Sequence, residues 1–145
     1  MAIIAAALDE RDRELRAQWR LDERTGFLVP TTGECELAIQ MASLGGSQLM
    51  MLKAHAAAGD AGMSALQLAQ AGGYADFSSA NMHHGKGGRK LAEQMHAKLP
   101  ESQVRAGEDV PTTAIATWLP TPGDPHNTGR WIMHPELREA VSRLP

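Results

Sequence analysis

Aromatic residues are scarce: two Phe, one Tyr and three Trp make up 4% of the 145 residues. Ala and Met fill much of the 43% hydrophobic quota instead. Both favour helix over strand, so a mainly α protein is expected. Met packs adaptably, in a core or on a partner-binding face, and an ordinary core role is the simpler expectation. The single cysteine, Cys35, excludes an intramolecular disulfide framework and fits a reducing, cytoplasmic setting. No apolar run reaches the ~18 residues that span a bilayer. The N-terminus runs from apolar to charged, the reverse of a signal peptide. Basic excess is missing too: the formal net charge is -3 and the pI is near 6.0. A nucleic-acid-binding face would therefore be a local patch on a slightly acidic body.

Signatures of catalysis are also lacking. The chain has no GxSxG elbow, P-loop or CxxC pair. Gly85-Lys86-Gly87-Gly88 lacks the P-loop length and the Ser/Thr after Lys. His83 and His84 are adjacent and so point to different helix faces, whereas two metal ligands on one helix need i,i+3 or i,i+4 spacing. His55, His96, His126 and His134 stand alone in sequence. A non-enzymatic protein without metal or cofactor is expected.

What is present is helical patterning with clear punctuation. Residues 2–21 read as a charged helix, with Ile4, Leu8, Leu15 and Trp19 near helical spacing and DERDRELR on the solvated side. Its apolar edge offers a homodimer contact. A short strand at Phe27–Val29, ended by Pro30, precedes a helix capped by Thr31 or Thr32 and stopped by Gly45-Gly46. Ser47 opens the next helix, with Leu49, Leu52 and Ala56 on one face. Ser64 caps a short helix that ends at Gly72-Gly73. Asp76 or Ser78 caps a longer run to Leu99, within which Gly85, Gly87 and Gly88 each cost about 1 kcal/mol against Ala. These glycines predict a break, or a close backbone approach such as a phosphate needs. TTAIATWLP and RWIM predict a β-hairpin with a long tip holding Asp124, His126 and Arg130. Trp118 and Trp131 fall on its two strands, where cross-strand packing onto the core is the ordinary role. Pro135 starts a last helix.

Helix, helix, helix, hairpin is the layout of a helix-turn-helix or winged helix. The expected fold is mainly α (α+β): a winged-helix-like domain over residues 47–145, with an N-terminal helical extension over 1–46. The third helix of the module carries Ser79, Asn81, His83, His84, Lys86, Arg89 and Lys90. Lys and Arg neutralise phosphates, and Asn pairs bidentately with adenine. These seven are the candidate DNA-binding residues.

From Leu52 to Leu144 the chain resembles a domain found fused to HNH-type endonucleases of bacterial restriction and mobile-element systems. LKAHAAA, SALQLAQAGGYADFSSANMHHGKGGRKLAEQM and RWIMHPELREAV carry the resemblance, chiefly Gly73-Tyr74, Ala80-Asn81 and Gly85-Lys86. It implies a DNA-recognition role for the helix holding Asn81, His83, His84 and Lys86. No HNH segment is present, so cleavage is not implied. Gly87-Gly88 departs from the bulkier apolar residue usual there. A free-standing domain of this kind implies a DNA-binding regulator, or a phage- or mobile-element-encoded inhibitor that binds a bacterial defence complex by protein–protein contact.

Overall fold

The computed structural model describes residues 2–102, 105–123 and 129–145. It is an α+β arrangement of helices with two small antiparallel sheets. No described helix is long and apolar enough to cross a membrane.

Helix α1 (Ala2–Arg16) leads into a two-residue-per-strand hairpin, β1 (Arg20–Leu21) and β2 (Leu28–Val29). Helix α2 (Thr32–Met41) starts at Thr31, whose hydroxyl accepts from the Glu34 N–H at 3.4 Å. Helix α3 (Gly46–Ala57) is capped by Gly45 rather than Ser47, because the Gln48 side chain folds back to accept from the Gly45 N–H at 2.9 Å. That frees the Ser47 hydroxyl, which meets Tyr74 Oη at 2.6 Å.

Helix α4 (Ala65–Gly72) opens with a reciprocal Ser64/Gln67 capping box. It closes at Gly73, held at φ +75°, a left-handed turn that suits glycine. Asp76 then caps α5 (Phe77–Met95) through the Ser79 N–H at 2.8 Å. The glycines do not break α5; it runs unbroken for 19 residues. Gly85, Gly87 and Gly88 are buried; Gly85 and Gly88 let a 3-10 turn at Pro111–Ala114 lie against the helix, and Gly87 faces Gln48 and Leu44. A Cβ on Gly88 would collide with the Pro111 carbonyl. The close approach expected at these glycines is made at Gly88, by the chain's own backbone.

Strands β3 (Ala116–Leu119) and β4 (Arg130–Met133) pair antiparallel, with Trp118 opposite Trp131. Met63, between α3 and α4, adds a one-residue bridge to Trp131 on the open side of β4, with N–H···O distances of 2.8 Å in both directions. The sheet order is therefore Met63, β4, β3. The tip residues Asp124 and His126, expected beside Arg130, lie outside the described residues. Pro135 opens α6 (Pro135–Ser142), where its missing N–H costs nothing.

Three groups of buried side chains hold these elements together. The largest joins Cys35, Ala38 and Ile39 of α2 to Leu52, Leu91, Ile115, Met133 and Leu137. Helix α2 thus shares its core with the C-terminal hairpin and α6. Phe27 and Val29 pack with Ala92 and Ala114. Met51, Leu68, Ala69 and Ala80 close the space under the α4–α5 turn. Full burial of a side chain such as Leu68 is worth about 1.5–3 kcal/mol. Helix α1 belongs to none of these groups; residues 3–16 are all exposed.

Candidate nucleic-acid interface

The α4–turn–α5 unit is held on α3 by a short chain of polar contacts. The Tyr74 ring stacks on His83, with centroids 4.9 Å apart and planes 8° from parallel. Its hydroxyl reaches Ser47 on α3. A Cβ on Gly72 would strike both the Tyr74 ring and Met51, so glycine is needed for this packing.

Deeper in, three elements meet at two histidines. His55 Nε2–H donates to the Trp131 carbonyl oxygen at 2.8 Å, which leaves His55 Nδ1 as an acceptor. His84 Nε2–H then donates to that nitrogen at 3.0 Å. The Trp131 carbonyl also accepts from the Met63 N–H, so α3, α5, β4 and the Met63 bridge converge there. Burial pushes the His55 imidazole down to about 4, outweighing the upward pull of the carbonyl. Burial likewise pushes His84 down to about 3, with His55 adding to the effect. Both rings are neutral at pH 7. His134 is also buried and shifted downward by desolvation, and its Nε2–H donates to the Thr113 carbonyl at 2.7 Å. Two of the histidines that stand alone in sequence are therefore built into the core. No group of three potential ligands for a metal occurs among the described residues.

The seven residues singled out from sequence divide accordingly. Asn81 and Lys86 are exposed, and their side chains make no hydrogen bond or ion pair with described residues. His83 is half-buried under Tyr74. His84 lies in the core, bonded to His55, and does not reach the surface. Ser79 is half-buried, with its N–H and hydroxyl both directed to Asp76. Arg89 is held in a two-pronged ion pair by Asp109, at 2.9 and 2.5 Å. Lys90 donates to the Ser43 carbonyl at 3.2 Å and to Gln48 Oε1 at 3.0 Å. Of the three cationic side chains on α5, Lys86 alone has no partner among the described residues.

The outer face of α5 also shows Phe77, Ser78 and Met82, and α4 shows Leu66 beside it in the same unit. The sequence pattern sets Leu66 beside Leu68 as an apolar pair and Phe77 beside Tyr74 as an aromatic anchor; Leu68 is buried, whereas Leu66 and Phe77 are exposed. Arg130, at the start of β4, is exposed as well. No protein-family model matches the chain, and no curated protein or solved structure shows significant similarity to it.

Proposed function

We propose that residues 47–145 form a non-enzymatic winged-helix module that binds duplex DNA. The N-terminal half of α5 enters the major groove, and the β3–β4 hairpin lies against the neighbouring backbone. One observation carries this reading. The chain runs helix α3, the Met63 bridge, helices α4 and α5, then β3 and β4, with the sheet in the order Met63, β4, β3. A short strand after the first helix that joins the later hairpin is what a winged helix adds to three helices. The left-handed Gly73 turn between α4 and α5 agrees with it.

Within this reading the contact set is smaller than the basic run of α5 suggests. Asn81 offers a bidentate partner for adenine, Lys86 and Arg130 offer phosphate contacts, and Met82 offers an apolar contact for a thymine methyl. His84, Arg89 and Lys90 act as scaffold. The test is fluorescence anisotropy with generic duplex DNA at about 50 and 200 mM salt. Affinity should fall with salt. Lys86→Ala should reduce the logarithmic salt slope by about 1, and His84→Gln should not change it if folding is intact. Absence of wild-type binding at the lower salt would remove the reading.

A second reading is favoured by Leu66, Phe77 and Met82, three large apolar side chains more than half exposed on the α4–α5 unit. With a single uncommitted cation beside them, this face also suits a protein partner such as a bacterial defence complex, which a mobile-element inhibitor would block. Phe77→Ser/Met82→Ser would then abolish complex formation, and Lys86→Ala would leave it intact.

A further inference from the structure

Among the described residues, half of the large exposed apolar side chains lie in the first 28. Six of the twelve are there: Ile3, Ile4, Leu8 and Leu15 on α1, and Leu21 and Leu28 on the small hairpin. Leu21 and Leu28 sit directly opposite each other across β1 and β2, so they show together on one face. On α1, Ile3 is 85% exposed, Ile4 63% and Leu8 59%. A 15-residue helix is at the margin of independent stability in water. Among the described residues, no element of the body packs along it. The described bonds that join it to the body are confined to its last residue, where Arg16 donates to the His96 carbonyl at 3.2 Å.

Ile4, Leu8, Arg11 and Leu15 follow one another at spacings of four, three and four residues, which makes a continuous a/d seam along α1. The seam is apolar except at Arg11. Outside the seam the helix is mixed in sign, with Asp9, Glu10, Asp12 and Glu14 against Arg13 and Arg16. Such a helix matches neither a polyanion nor a polycation. It does match itself.

We propose that α1 pairs with α1 of a second copy of this chain, in antiparallel orientation. Arg11 sets the direction. Parallel pairing would place Arg11 directly opposite Arg11 in one layer of the seam, whereas antiparallel pairing offsets the two by about 4.5 Å along the axis and sets each against a leucine. Antiparallel pairing centred between Leu8 and Arg11 sets Ile4 against Leu15 and Leu8 against Arg11 of the second copy. Asp12 and Glu14, which flank the seam, then face Ala5 and Ala7. No carboxylate faces another, and the Arg11 guanidinium lies within about one helical turn of Asp12 of the second copy. The exposed Leu21–Leu28 face, a short distance along the chain, extends the apolar surface beyond the seam.

The contact is small, so the expected dissociation constant is on the order of 10 μM. Sedimentation equilibrium of the full chain over a concentration series around that value should show reversible doubling of mass. Leu8→Glu should shift the equilibrium at least tenfold toward monomer while the thermal unfolding of the body stays where it was, since Leu8 touches none of it. Orientation is read by cross-linking. Oxidising a mixture of Ile4→Cys and Leu15→Cys proteins should join one to the other, and Ile4→Cys alone should not join to itself, because antiparallel pairing separates its two copies by about 16 Å. Cys35 is buried, with its thiol pushed up to about 12 by desolvation, and stays out of this reaction. Wild type that remains monomeric throughout, mass that rises beyond a dimer, or Ile4→Cys that cross-links to itself would each overturn the proposal.

Discussion

At Gly88 the backbone of α5 lies against the Pro111 carbonyl, whereas a Cβ on Gly87 would meet only the Gln48 and Leu44 side chains. The same substitution therefore has opposite outcomes at neighbouring positions. Gly88→Ala gains about 1 kcal/mol of helix propensity but must push a backbone segment aside, and a net loss of about 2 kcal/mol is expected. Gly87→Ala meets Gln48 and Leu44 at an ordinary 3.9 Å and should be neutral or stabilising by up to about 1 kcal/mol. Urea midpoints of the two variants check this. The histidines set the pH response. His55, His84 and His134 titrate below their usual 6.5 when folded, so the unfolded chain binds more protons once the pH falls under that value. Stability is at its full value above pH 6.5 and declines as the pH drops toward about 4. Chemical denaturation at pH 7.5, 6 and 5 should show the decline, and His84→Leu should flatten it. The same variant leaves His55 Nδ1 without a donor and should cost about 1–3 kcal/mol at pH 7.5.

Among the elements, the Arg89–Asp109 pair links α5 to the loop before β3 while holding a cation away from any ligand. Asp109→Ala should release Arg89 and, if α5 meets DNA, tighten binding and steepen the logarithmic salt slope by up to about 1, as measured by anisotropy. Surface pairs contribute little to folding, so the melting temperature should barely move. How far such elements show in sequence depends on the range of the interaction that fixes them. The caps at Thr31, Ser64 and Asp76 and the turn at Gly73 are local, so the sequence states Ser64 and Gly73 directly and narrows the other two caps to Thr31 or Thr32 and Asp76 or Ser78. The hairpin is legible because Trp118 and Trp131 flank a run of turn formers. The histidine pair is not: His55 and His84 are 29 residues apart, and nothing local joins them. One signal was available. Ala80, His84, Gly88, Leu91 and Met95 recur at three- and four-residue spacing, and together they form the buried stripe of α5. Reading His84 with that stripe, rather than with the basic run, puts it in the core. Arg89 and Lys90 offered no such clue, because Asp109, Ser43 and Gln48 come from separate segments.

For the whole molecule, charge and topology pull in different directions. The net charge of -3 opposes long-range attraction to DNA, so any affinity rests on short-range contacts, and with Lys86 and Arg130 as the phosphate contacts the logarithmic salt slope should be shallow, about -2. The core takes in α2 through α6 and leaves α1 outside, so deletion of residues 2–14 should leave the melting temperature of the remainder within about 2 °C by calorimetry. The carbonyl of Trp131 has one more consequence. Its hydrogen-bond donors come from positions 55 and 63, and His84 is tied to it through His55, so four distant points of the chain close on one atom. During synthesis, α3, α4 and α5 leave the ribosome well before that atom exists. The helices must wait, unlatched, for the last strand, and folding is expected to proceed as one late event rather than helix by helix.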